Sequence, residues 1–237
     1  MLSPDRRTMT RSQAEAAQID TGLRAHMLRV YNYMASGVAL TGIVAMAASS
    51  SPALMNAIFG TPLMWVVMLA PLAFVMVLSF GIHRLSLFAS QALFWLFAAV
   101  MGLSLSTIFL IYTGESIARV FFITAAAFGA LSLYGYTTKR DISGWGSFLF
   151  MGLIGIIIAG VVNLFMQSSA MQFAISVIGV LVFAGLTAYD TQKIKNEYSE
   201  LHDYETSGKL AVMGALRLYL DFINLMMMML HLFGNRR

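Results

Sequence analysis

Seven apolar runs of roughly 20 residues recur along this chain, each long enough to cross a hydrocarbon core of about 30 Å as a helix. Inside a bilayer every backbone N–H and C=O must find its partner within the protein, which leaves the helix as the natural form for such runs. Composition agrees with this. Of the 237 residues 59% are hydrophobic and 11% charged, where a soluble domain carries about 25% charged residues, and the mean hydropathy is +0.76. The expected fold class is therefore all-α, a polytopic membrane protein with a polar N-terminal tail over 1–28 and a seven-helix transmembrane domain over 29–237.

The spans are expected near 30–48, 62–82, 85–112, 118–136, 145–165, 173–188 and 214–233. A lead-in helix over 15–33 precedes the first, and Ser49 to Pro52 reads as an uncharged turn. Pro71 inside the second span removes a backbone donor and is expected to kink it. Tyr134 and Tyr136, just ahead of Lys139, Arg140 and Asp141, resemble an interfacial aromatic belt. Gly152, Gly155, Ala159 and Gly160 are small residues of the kind that let membrane helices approach closely.

Counted on alternate sides of the spans, eleven Lys and Arg fall with the N-terminal tail and three opposite it, which places the N-terminus in the cytoplasm. Seven crossings then put the C-terminus outside. Arg236 and Arg237 dissent, so a last segment that re-enters instead of crossing is the alternative.

Several function classes are excluded or disfavoured at this level. The net charge of +4 comes from basic residues in the tail and between spans, with no basic and aromatic patch for nucleic acid. Cysteine is absent, which removes disulfides, thiolate metal sites and cysteine nucleophiles. The tail lacks the apolar core of a secretory signal; Arg6, Arg7 and Arg11 suit a mitochondrial presequence, but Asp5, Glu15 and Asp20 oppose one. The histidines His26, His83, His202 and His231 are scattered, and the chain has no metal spacing, nucleophile elbow or phosphate loop. Met226 to Met229 point about 100° apart in succession and read as packing, not as a copper path. No tightly bound cofactor and no enzymatic activity are expected.

What stands out is two acids at membrane depth: Asp190 at the end of the sixth apolar run and Asp221 inside the seventh. A carboxylate there costs at least a few kcal/mol, and one that persists usually faces the bundle interior or a wet cavity. If the sixth helix continues to Lys195 with its lysines snorkelling, Asp190 moves about 7 Å inward and the two depths match. Two carboxyls in hydrogen-bond reach would share a proton and titrate as a pair, a pH sensor on an ion pathway. Their oxygens suit a divalent cation, but calcium takes six to eight oxygens, so the pair alone makes a transient calcium site.

The bland alternative is that Asp190 caps its helix and Asp221 pairs with Arg217, one turn earlier on the same face. Asn224 is either a further oxygen ligand or an interhelical hydrogen bond. Arg84, at the end of the second span, is either an orientation signal or a latch on one carboxylate.

Four stretches resemble the Bax inhibitor family, the transmembrane Bax-inhibitor-motif proteins, in its bacterial branch: Tyr-Gly-Tyr-Thr-Thr-Lys-Arg-Asp at 134–141, Met-Gly-Leu-Ile-Gly-Ile-Ile-Ile at 151–158, Phe-Ala-Gly-Leu-Thr-Ala-Tyr-Asp-Thr-Gln-Lys-Ile-Lys at 183–195, and Leu-Tyr-Leu-Asp-Phe-Ile-Asn at 218–224. The resemblance implies a seven-helix bundle with the last helix near its centre, in a bacterial inner membrane. It also implies a pH-sensitive calcium leak gated by an aspartate pair, Asp190 and Asp221 by motif position. Relatives carry an arginine at the end of the second helix that engages the pair when closed, and Arg84, or His83 beside it, occupies that region. Two departures stand out. The link between the acids is rather long, and 62–82 holds no acid where some bacterial relatives have a glutamate.

Three functions compete: the calcium leak, with the bilayer and calcium ions as partners; a non-conducting regulator of a membrane-bound AAA protease or stress response, the resemblance including bacterial relatives associated with restraint of such a protease; and an intramembrane aspartyl protease. The last is suggested by Tyr189-Asp190, but Leu218-Tyr-Leu-Asp221 lacks the glycines of that class's second motif and a Pro-Ala-Leu element is absent.

Overall fold

The computed structural model describes residues 11–199 and 201–237. Residues 1–10 of the expected tail, with Asp5, Arg6 and Arg7, lie outside the described residues, as do the side chains of Arg11, Glu15 and Asp20. The described chain is helical: α1 (Arg11–Ser49), α2 (Pro52–Phe59), α3 (Leu63–Gly81), α4 (Leu87–Leu105), α5 (Ile108–Ile111), α6 (Gly114–Thr137), α7 (Gly146–Met166), α8 (Ser169–Glu197) and α9 (Tyr204–Phe233), with a 3-10 turn at Ser143–Trp145. Among the described residues seven stretches are long and apolar enough to cross a membrane. The protein is a polytopic helical bundle.

The helix starts follow from short polar residues that satisfy the first free N–H groups. Ser51 accepts from Leu54 N, with Pro52 in the first turn; Ser86 accepts from Ala89 N, Thr113 from Ser116 N and Ser168 from Met171 N. Ser51 and Pro52 thus open a short helix, α2, where the sequence suggests only a turn. α3 runs on through Pro71. The tight α7–α8 connection turns on Gln167 in the left-handed region (φ 50°), braced by the Asn163 side chain, which accepts from Ser168 N and donates to Gln172 Oε1.

Three expected boundaries shift. The lead-in helix and the first span are one helix, α1. The sixth span continues past Asp190 to Glu197, and the seventh begins at Tyr204, so the link between the acid-bearing helices spans only 198–203. Both extensions are polar turns stabilised locally, for example by the Lys209–Glu205 ion pair at 2.8 Å, one helical turn apart.

α9 packs against α1, α4, α6 and α8, and 61% of its most apolar window is buried against 17–33% in the other spans. The last helix is central. Its Tyr219 is fully buried, set edge-on to Phe94 and Phe97 of α4, and its hydroxyl meets Thr41 Oγ1 of α1 at 2.6 Å, while Thr41 donates to Ala98 O at 2.7 Å. α3 and α7 are the least buried, 17% each, and present Trp65, Phe80, Phe148 and Phe165 outward, as surfaces against lipid do. Met226 and Met227 join the central cluster and, with Met229, pack on Tyr112 and Leu230, while Met228 lies against Gly179, so all four serve packing.

α9 also runs the length of the bundle. Near its start the Tyr204 ring lies 5.9 Å from the Arg29 guanidinium of α1. The residues just after α9 are tied to the corner between α5 and α6 through Thr113 N to Asn235 O (3.1 Å), Asn235 N to Ser116 Oγ (2.9 Å) and Arg237 N to Ile111 O (2.9 Å). At 30 residues α9 is long and apolar enough to cross a membrane.

Close approach is supplied by glycine in part where expected. A Cβ on Gly152 would lie 2.9 Å from Val182 Cγ2, so this residue does bring α7 onto α8, whereas Gly155 and Gly160 face open space. The closest approach is at Gly135 of α6, where a Cβ would stand 2.3 Å from the Ala188 carbonyl oxygen of α8.

Candidate acid-pair chamber

The length of α8 decides where Asp190 sits. With the helix ending at Glu197, Asp190 lies two turns, or about 10 Å, inside its end. Asp221 lies in the middle of α9 and is 5% exposed. The neighbouring packing of α8 and α9 brings the two carboxyl groups within side-chain hydrogen-bond reach of each other.

Both acids line a chamber of about 540 Å³ between the start of α7, α8 and α9. Its polar lining includes Tyr189, Lys193, Arg217 and Asn224, and Phe150, Leu153, Phe183 and Leu186 supply apolar wall. Gly146 makes room for it: a Cβ there would fall 2.6 Å from Tyr189 Oη. The Lys193 ammonium stands 5.9 Å from the Tyr189 ring centroid.

Arg217 does not take Asp221 as its ion-pair partner. Its Nη1 donates to both carboxylate oxygens of Glu197, at 2.9 and 3.0 Å, across the α8–α9 interface. An acid placed after its base along a helix is the weaker ordering, and Glu197, two turns beyond Asp190 on the same face of α8, offers two oxygens at once. The Coulombic field of Arg217 still reaches both aspartates. Asp221 Oδ2 is buried with no donor from the other described side chains, so a proton held between the two acids would satisfy it.

Of the remaining candidates, Asn224 Nδ2 donates to Leu220 O of its own helix at 2.8 Å and makes no interhelical bond among the described residues. Arg84 and His83 are exposed in the turn after α3 and are not part of the chamber lining. Tyr136, expected at an interfacial belt, accepts a hydrogen bond from Lys195 Nζ through its carbonyl (2.8 Å), with the same ammonium 5.6 Å from its ring centroid. Glu197 and Gly146 escaped sequence reading. The signal for Glu197 is its seven-residue spacing from Asp190, which matters only if the helix continues that far.

Among the described residues no group of three or more His, Asp or Glu is placed to hold a metal ion. The chamber offers two carboxyls and the Asn224 amide, flanked by Lys193 and Arg217.

Comparison with known proteins gives a consistent picture. A family model described as "Inhibitor of apoptosis-promoting Bax1" matches residues 23–237. The inner membrane protein YbhL of Escherichia coli K12 is 50% identical over 219 residues, covering 91% of this chain and 94% of that one. The protein RP147 of Rickettsia prowazekii is 50% identical over 218 residues, 92% of each chain. The membrane protein SpyM3_0260 of Streptococcus pyogenes is 37% identical over 220 residues, 92% of this chain and 95% of that one.

Proposed function

The chain belongs to the Bax inhibitor family of integral membrane proteins, and from that membership and the chamber we propose that it is a pH-sensitive calcium leak gated by Asp190 and Asp221. The observation that carries the reading is the meeting of these two carboxyls, from consecutive helices, inside one chamber. Two carboxylates about 4 Å apart repel by roughly 4 kcal/mol at an effective dielectric constant of 20. One shared proton removes that repulsion and ties α8 to α9. Its loss leaves two anions that drive the helices apart and present hard oxygens to a divalent ion.

Arg217 takes the part of the counter-cation in this scheme. Held by Glu197 it balances the chamber's charge, and as the aspartates ionise it has a second pair of oxygens to reach. Calcium is cargo here: it passes between the two acids with Asn224 and water completing its shell, binding weakly enough to leave. No bond is made or broken, so the protein acts as a conduit and not as an enzyme. The name of the Escherichia coli relative supports an inner-membrane location, and the excess of basic residues on the tail side supports a cytoplasmic N-terminus.

The test is calcium flux from proteoliposomes across a pH series. Wild type is expected to conduct more as pH rises, and Asp190→Asn and Asp221→Asn to lose that dependence. Equal flux from all three proteins at every pH removes the proposal. Deleting residues 1–20, ahead of the first apolar stretch at Thr21–Ser49, addresses the alternative of a non-conducting regulator of a membrane protease: flux unchanged while a stress phenotype disappears would favour it.

A further inference from the structure

α1 and α6 both pack on α9 but hardly touch each other among the described residues, and a cleft opens between them. In one half it forms a groove of about 580 Å³ floored near Tyr31 and Phe128, with Ala35 and Gly129 as small residues in its lining and Arg24 at its end. In the other half, a second groove of about 390 Å³ runs past Gly42 and Gly114 and has no charged side chain in its lining. The flanking Leu28 and Leu133 are 51% and 62% exposed, so the first groove opens sideways, where hydrocarbon lies.

From this asymmetry we infer that the α1–α6 groove holds one acyl chain of an anionic phospholipid, with Arg24 against the phosphate. The dimensions choose a lipid tail over a helix. Spread over the eleven steps from Arg24 to Ala35 at 1.5 Å each, the 580 Å³ volume gives a cross-section of roughly 35 Å², less than half that of a helix about 10 Å across. The charge lies where a headgroup would. Among the described residues Arg24 is the one charged side chain in the groove's lining and stands at the end it shares with Tyr136.

The groove also communicates with the acid-bearing helix. Tyr31 Oη on its floor bonds Ser132 Oγ at 2.7 Å, and Ser132 bonds Thr191 Oγ1 at 2.9 Å, next in sequence to Asp190. A tail seated there rests on a hydrogen-bonded bridge from α1 through α6 to α8. The lipid site does not depend on the leak reading, and stands or falls on binding alone.

Native mass spectrometry of the full chain, released from detergent after equal loading with phosphatidylglycerol or phosphatidylcholine, tests it. Wild type should retain one phosphatidylglycerol in preference to phosphatidylcholine by roughly fivefold, the effect of one basic residue at a membrane surface. Arg24→Gln should keep lipid and lose the preference. Gly129→Trp, at a position where a Cβ meets nothing within 4 Å, should fill the groove and lose the retained lipid of either kind, while Gly42→Trp in the uncharged half leaves the phosphatidylglycerol preference intact. No preference in wild type, or lipid retention by Gly129→Trp equal to wild type, overturns the inference. So does a wild-type dimer that Gly129→Trp dissociates, which would make the groove a contact between copies. Should Gly129→Trp fail to fold, the exposed Arg24→Gln variant decides alone.

Discussion

Replacing Gly135 by alanine adds one methyl group at a place where α6 lies directly against the backbone of α8. The new Cβ would stand 2.3 Å from the Ala188 carbonyl oxygen and 3.0 and 3.1 Å from its C and Cα, all backbone atoms that cannot swing away, whereas ordinary contact begins near 3.4 Å. The helices must therefore part by about 1 Å, twice the roughly 0.5 Å tolerance of a positioned site, and Ala188 is two residues from Asp190. Overpacking of this kind costs about 1–3 kcal/mol, and the helix propensity of alanine returns up to about 1 kcal/mol. The expected net loss is about 1–2 kcal/mol, a fall in melting temperature of roughly 2–8 °C for a chain of this size. Gly129→Ala is the internal control: it lies on the same helix, gains the same propensity and meets nothing within 4 Å. Thermal unfolding of both variants in one detergent should place Gly135→Ala below wild type and Gly129→Ala at or above it. Difference infrared titration of the carboxyl groups should show the two aspartates titrating independently in Gly135→Ala alone. If Gly135→Ala melts with its control and keeps the coupled titration, the close α6–α8 approach does not set the position of Asp190.

Three further outcomes follow from the geometry. Thr41→Val leaves the buried Tyr219 hydroxyl without its 2.6 Å partner and should cost about 1–3 kcal/mol by thermal unfolding, more than Tyr219→Phe, which removes both the hydroxyl and its need for a partner. Arg217→Met should move the midpoint of calcium flux to higher pH and Glu197→Gln to lower pH. A charge about 6 Å from the pair at an effective dielectric constant of 20 is worth roughly 3 kcal/mol before solvent screening and roughly one pH unit after it; shifts of the same sign would refute the counter-cation role. At the membrane-flanking turn, the Ser143 hydroxyl and then its N–H hold the Asp141 carboxyl below its usual value of 3.8. That contribution is present above the unfolded value and is lost as pH falls through the lower folded one. Ser143→Ala should raise the Asp141 midpoint toward 3.8 in a carbon-detected NMR titration.

How much of this was legible in the sequence depends on the range of the force involved. The number and approximate place of the spans, and the two acids within them, are readable from residues alone, because partition into a bilayer is a property of about 20 consecutive side chains and needs no neighbour. Helix ends were less legible. The extensions of α8 to Glu197 and of α9 back to Tyr204 depend on polar turns that a hydropathy reading assigns to a link. The choice of Glu197 over Asp221 as the partner of Arg217 is an outcome of how α8 crosses α9, and along the helix axis alone Asp221 is the nearer group. The same holds for Arg84, whose position in the chain suggests a latch and whose place in the bundle is an exposed turn, and for the glycine stretch of α7, where only Gly152 meets a neighbour.

The sequence by itself determined that this chain crosses a membrane as helices and holds two carboxyls at depth, since both follow from the cost of moving groups out of water. Only the tertiary structure decided that those carboxyls meet, which cation stands beside them and where a lateral groove opens. Each of these is set by the angle and separation of whole helices, and a change of about 1 Å or one turn there redirects a side chain without altering a single residue of the pattern that encodes the span.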